Sequence, residues 1–269
     1  FTSIISHSKS VMPCSRSILL VPKKQISALT PASFCTTSAP TAICAFFINL
    51  FPIKINGTDK TKWVLIVSIN PAAPNGGSGT QYFIGDFDGN KFTLDVDFNT
   101  QLQTQKAAWL DFGRDNYAGV TWSNIPKEDG RKLFIGWMSN WENIKDHPET
   151  TWTNAMTIPR ELGLTRVKDE IVLTQQPMCD NLFEYKVTAP TTGSLGLEGF
   201  VRLGYNADKK TIFINEYEAP YEVKEDLLHL RIVVDRSSVE LFTGDGIRSI
   251  TLAVFPLAGE ARTLTPFSL

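Results

Sequence analysis

Residues 131–152 read RKLFIGWMSNWENIKDHPETTW. The first part, 131–138, is rich in apolar and β-favouring residues and is entered from the turn Glu128-Asp129-Gly130, so it reads as a strand. A long polar loop follows, in which Trp141 and Trp152 stand around Asn140. Trp137 belongs to the strand run and reads as core. Trp141 and Trp152 fall in the loop and read as surface rings. Aromatic faces beside an amide suit the apolar face and the hydroxyls of a sugar, with ordinary core packing as the alternative use of such rings.

Outward from this stretch the signals stay β. Residues 62–69 (KWVLIVSI) form an apolar run fit for a buried central strand. Residues 81–87 and 91–94 flank Asp88-Gly89-Asn90, a hairpin signal. Residues 154–158 and 170–174 read as short strands. Toward the end, 200–205, 211–214, 228–235, 238–242 and 249–255 are separated by turns, with Gly244-Asp245-Gly246 the strongest of them. No long stripe of helical period is visible. Many short strands with evenly spaced turns predict an all-β protein. Tryptophan stops at Trp152 and the hairpins tighten after Pro177, so a boundary between two β domains is expected there.

Two further clusters carry chemistry. Residues 109–118 read WLDFGRDNYA, with Asp111, Arg114 and Asp115 beside aromatic and glycine residues. A carboxylate that accepts and a guanidinium that donates suit sugar hydroxyls. In isolation such a pair is more commonly structural. Residues 156–162 (MTIPREL) are extended and say little by themselves.

Composition divides the chain. The 269 residues carry a net charge of −2, which gives nucleic acid or an anionic membrane no electrostatic reason to bind. From Phe1 to Thr58 there is no Asp or Glu, where roughly six would be expected from the whole-chain frequency. The same stretch holds five cations (Lys9, Arg16, Lys23, Lys24, Lys54) and Cys14, Cys35 and Cys44. A transit segment, a disordered basic tail, or translated non-coding sequence would each have this composition, and the third is the preferred reading. No signal peptide is recognised, and the apolar run 42–51 is too short to cross a bilayer. The cysteines lack metal-ligand spacing, and His7, His147 and His229 are scattered, so no metal or cofactor is expected. Asn56-Gly57-Thr58 is a glycosylation sequon.

Taken in order, the clusters resemble glycoside hydrolase family 32, the invertases, inulinases and levanases. The likeness rests on 111–118 (Asp-x-Gly-x-Asp-x-Tyr-Ala), 135–141 (Ile-Gly-Trp-Met-x-Asn-Trp), Trp152 with 156–162, the upstream stretches 63–79 and 81–85, and 234–242 (VDRSSVELF). It covers about residues 50–269. It implies part of a five-bladed β-propeller (50–177) followed by an apparently shortened β-sandwich (178–269), with 1–49 a non-homologous, disordered segment. Between Cys179 and Phe200 there is little room for several strands. The resemblance further implies a fructan or sucrose partner, secretion, and hydrolysis of β-fructofuranosyl bonds with retention by an Asp nucleophile and a Glu acid. Asp111, Arg114, Asn140, Trp141 and Trp152 would then bind substrate. The family's Asn-Asp-Pro nucleophile motif and its Arg-Asp-Pro motif are absent from these residues, and counting back from 50–55 (LFPIKI) puts the acid position at Phe46. No catalytic residue is therefore assigned, and the copy is expected to be inactive, with a non-catalytic carbohydrate-binding β module or a structural remnant as the alternatives, the remnant preferred.

Overall fold

The computed structural model describes residues 44–71, 73–74, 76–105, 107–142, 144, 154–180, 182–255 and 263–269. Expectations for residues 1–43 and for Trp152 lie outside them. Among the described residues the chain is nearly all β.

The first sheet orders β1 (Cys44–Lys54), β2 (Thr61–Asn70), β3 (Gly79–Phe87) and β4 (Phe92–Leu94) as an antiparallel meander. β2 is the buried central strand expected from its composition. Val64 and Ile66 face one core, while Leu65, Val67 and Ile69 face another, because successive side chains alternate between the two faces of a sheet. β1 runs across position 49/50, where the family resemblance begins, with backbone pairing to β2 from Cys44↔Asn70 to Lys54↔Thr61.

A helix missed by the sequence reading follows, α1 (Val96–Gln105). Asp95 caps it, its Oδ1 accepting from the amides of Asp97 (2.9 Å) and Phe98 (3.1 Å). Only Phe98 and Gln101 of the helix are buried, so no apolar stripe is written in its sequence.

The second sheet holds β5 (Tyr117–Thr121), β6 (Lys132–Met138), β7 (Ala155–Met156), β8 (Arg160–Val167) and β9 (Glu170–Pro177), in the order β5-β6-β8-β9 with β7 on β6. The two sheets are propeller blades packed face to face. Phe51, Ile55, Val64, Ile66 and Ile84 of one meet Phe134, Leu162, Leu164, Ile171 and Leu173 of the other. Truncating one of these to alanine would cost roughly 2–5 kcal/mol. Asn49 stitches β1 to β5, donating to the Gly119 carbonyl (3.1 Å) and accepting from the Thr121 amide (3.3 Å).

The remaining strands form the sandwich. They are β10 (Phe183–Thr188), β11 (Ser194–Gly199), β12 (Arg202–Asn206), β13 (Thr211–Ile214), β14 (Tyr217–Pro220), β15 (Leu227–Asp235), β16 (Ser238–Thr243), β17 (Ser249–Ala253) and β18 (Leu264–Ser268). One sheet orders β10-β15-β16-β17 and the other β14-β13-β12-β11-β18. Leu203, Ile212, Ile214, Leu228, Leu230, Ile232, Val239, Leu241 and Ile250 fill the space between them. The span 179–200 holds two strands, β10 and β11.

Candidate functional site

The cluster 109–118 is held against the sandwich. It lies along β17 of the sandwich as if it were an extra strand. Phe112 N donates to Ser249 O (2.9 Å), Thr251 N to Asp111 Oδ1 (3.0 Å), Asp115 N to Thr251 O (3.1 Å) and Ala253 N to Asp115 Oδ2 (2.9 Å). The approach is close enough that a Cβ on Gly113 would stand 2.1 Å from the Thr251 carbonyl oxygen. Glycine is needed here because only a bare backbone leaves room.

Beneath this seam sits Arg160, the first residue of β8, with no exposed surface. Its Nη1 donates to Asp111 Oδ2 (2.9 Å), Gln175 Oε1 (2.7 Å) and Ser249 Oγ (3.3 Å). Its Nη2 donates to Glu240 Oε2 (2.7 Å) and Thr251 Oγ1 (2.6 Å). The guanidinium also lies 4.8 Å from the centre of the Phe242 ring. Propeller and sandwich are thus joined by a buried polar knot as well as by apolar contact.

The two carboxylates of the knot respond in opposite directions. Burial pushes Asp111 up, but the Arg160 charge and hydrogen bonds from Thr251, Arg160 and Gly113 outweigh it and hold the carboxyl below its usual range. Burial pushes Glu240 up, and Arg160 with the Ile158 amide offsets this only in part, so it stays above its usual range. Burial lowers Arg160, and the charges of Glu240 and Asp111 more than restore it. A buried carboxyl pair with values driven apart is also how a glycosidase separates acid from nucleophile. Here both side chains are under 5 % exposed with a guanidinium between them, so no sugar reaches them.

A second knot ties three loops together. Asn140, fully buried, accepts through Oδ1 from the amides of Ser78 (3.3 Å) and Glu142 (3.0 Å). Its Nδ2 donates to the carbonyls of Arg114 (2.8 Å), Ser78 (3.4 Å) and Gly76 (3.5 Å). Gly77, at φ +62°, leaves the gap that Asn140 fills, since a Cβ there would stand 2.2 Å from Oδ1. Trp141 follows, 55 % exposed, its ring 5.2 Å from that of Trp137 and its amide donating to Ser78 Oγ (3.3 Å). This makes an open aromatic platform on a rigid base.

A model described as the glycosyl hydrolases family 32 N-terminal domain matches residues 33–177, and one described as the family 32 C terminal matches residues 175–268. The chain belongs to glycosyl hydrolase family 32. The N-terminal match begins inside the acid-free segment. As a family 32 chain it is 34% identical over 264 residues to a levanase of Bacillus subtilis, across 77% of this chain and 38% of that protein. It is 31% identical over 266 residues to the extracellular exo-inulinase inuE of Aspergillus niger, across 77% of this chain and 49% of that protein. It therefore spans about half or less of the length of these relatives. The crystal structure of exo-inulinase from Aspergillus awamori superposes with a TM-score of 0.66 at 27% identity, over 80% of this chain and 52% of that one. A β-fructofuranosidase from Schwanniomyces occidentalis complexed with fructosyl-erythritol has the same fold, with a TM-score of 0.66 at 21% identity over 82% and 56%.

Of the residues expected to bind substrate in this family 32 chain, the fold brings Arg114, Asn140 and Trp141 into one cluster. Arg114 is half-buried, its Nη1 donating to the Tyr217 hydroxyl of the sandwich (3.4 Å). Asn140 serves the loops rather than solvent, and Trp141 is the member that faces outward. Asp111 is built into the interdomain knot, and its partner is Arg160 of the 156–162 stretch rather than Arg114. Sequence reasoning missed Arg160 and Glu240. Glu240 stands in a strand between Val239 and Leu241, where alternation alone makes it an ordinary solvent-facing acid. Among the described residues no group of three or more His, Cys, Asp or Glu is placed to hold a metal ion.

Proposed function

We propose that this chain belongs functionally with the fructan- and sucrose-cleaving β-fructofuranosidases, and that these residues recognise the sugar without cleaving its bond. The observation that carries the reading is the sealed state of the buried carboxyl pair. Asp111 and Glu240 are spent on Arg160. Retaining hydrolysis needs an accessible nucleophile and a proton donor about 5–5.5 Å apart across the glycosidic bond. At the acid position inferred from the family pattern stands Phe46, where the register of β1 on β2 shifts between Ala45 and Phe47. A phenyl ring transfers no proton. Recognition falls to Trp141, whose exposed face suits the apolar side of a fructosyl unit, with Trp152 and Arg114 as further contacts. The levanase and exo-inulinase likenesses support fructan as the substrate class and secretion as the destination.

The test is fructose release from sucrose, inulin and levan by the purified chain, with affinity for the same sugars measured alongside. Binding without release, weakened at least tenfold by Trp141→Ala, is the expected result. Release above background that survives in Asp111→Asn but is lost in Trp141→Ala would overturn the inactivity. Folded protein with no affinity for any of the three would make the chain a structural remnant.

A further inference from the structure

We infer that the joint between the propeller blades and the sandwich is a proton-binding site, with Glu240 as the group that takes the proton. The first observation is a charge count. Two carboxylates, Asp111 and Glu240, share one guanidinium, and all three side chains are under 5 % exposed. With both acids ionised the knot would hold a net negative charge in a medium that solvates it poorly, so a proton is favoured.

Hydrogen bonding decides which acid holds it. Asp111 accepts from six donors: the amides of Gly113 (2.8 Å) and Thr251 (3.0 Å), Asn116 Nδ2 (3.3 Å), Arg160 Nη1 (2.9 Å), Ser249 Oγ (2.9 Å) and Thr251 Oγ1 (2.6 Å). Glu240 accepts from two, the Ile158 amide (2.7 Å) and Arg160 Nη2 (2.7 Å). A proton on Asp111 would turn an acceptor saturated with donors into a donor facing donors. A proton on Glu240 disturbs far less, and burial acts on it in the same direction.

On one side of Glu240 its strand pairs with β15, which sets Val233 opposite it, the charged Arg231 opposite Phe242 and Asp235 opposite Ser238. The other groups gather with it around the guanidinium of Arg160 in β8. They are Gln175 of β9, Asp111 of the 109–118 loop, Ser249 and Thr251 of β17, and the Phe242 ring of its own strand. Its partners across the domain boundary, Arg160 and Asp111, already form a neutral pair. The sandwich therefore brings the surplus charge when it docks, and docking takes up a proton. Because Glu240 rises above its unfolded value on folding, its contribution to stability is complete below that unfolded value. It is lost as pH climbs through the raised value, so the joint tightens in mild acid and loosens toward alkali. His229 is shifted so that it acts with the opposite sign. Burial and the charge of Lys186 lower it, despite Glu184, so its contribution grows as pH rises.

The test places wild-type Glu240 and Glu240→Gln in a His229→Gln background and measures the unfolding equilibrium of the full chain from mild acid to mild alkali. With Glu240 present, the unfolding constant should rise by up to about tenfold per pH unit above the ordinary carboxylate range, the slope of one proton. Glu240→Gln should remove that slope. An equal slope in both, or none with Glu240 present, would overturn the site. If Glu240→Gln does not fold, infrared spectroscopy of the native chain decides. A carboxylic-acid C=O band that persists above the ordinary carboxylate range and vanishes on unfolding supports the inference, and a folded protein without that band refutes it.

Discussion

Replacing Arg160 by methionine keeps an apolar stem of similar length and deletes the charge at the centre of the interdomain knot. Five side-chain hydrogen bonds disappear, to Asp111, Gln175, Ser249, Glu240 and Thr251, together with the stacking on Phe242. Adding five charge-assisted bonds at about 1.5–3 kcal/mol each would overshoot, because the freed acceptors keep other donors and the buried charge was costly to desolvate. Asp111 retains its two amide donors, Asn116 and two hydroxyls, while Glu240 retains only Ile158 N. The net expectation is the cost of breaking one buried ion pair, about 3–5 kcal/mol. In urea, with a slope near 2–3 kcal/mol per molar, the midpoint should fall by roughly 1–2 M. Adding Asp111→Asn and Glu240→Gln to Arg160→Met should recover part of the loss, since no buried carboxyl is then left without the cation. A loss below about 1 kcal/mol, the value of an exposed pair, would refute the argument that this knot is dry and shared between the domains.

Two further outcomes follow from the same geometry. Gly113→Ala puts a methyl 2.1 Å from the Thr251 carbonyl, so the loop must lift from β17, at a cost of about 1–3 kcal/mol seen in the same urea titration. Asn140→Ala leaves the buried amide of Ser78 and the amide of Glu142 without their acceptor and should cost about 2–4 kcal/mol. It should also free the Trp141 ring, seen as a larger quenching constant for tryptophan fluorescence with acrylamide. Quenching unchanged from wild type would show that Asn140 does not hold the platform.

Local pattern carries much of this protein. The apolar run at 62–69 and the turns at Asp88-Gly89 and Gly244-Asp245-Gly246 determine strands and hairpins through backbone sterics and burial, which act within a few residues. The order of the motifs is enough to place the chain in its family. Three things needed the fold. Helix α1 has only two buried side chains, so its existence rests on its cap and on packing against Tyr82 rather than on a stripe. The 49/50 position marks where the family motifs begin, whereas β1 is set by its pairing with β2, which crosses that point. Above all, the roles of Asp111, Arg160 and Glu240 are decided by contacts across 49 to 140 residues of chain. Sequence shows that a carboxylate and a guanidinium are present. Only tertiary structure decides whether they face a sugar or each other, because electrostatic energy depends on distance and burial, and neither is written in the order of residues.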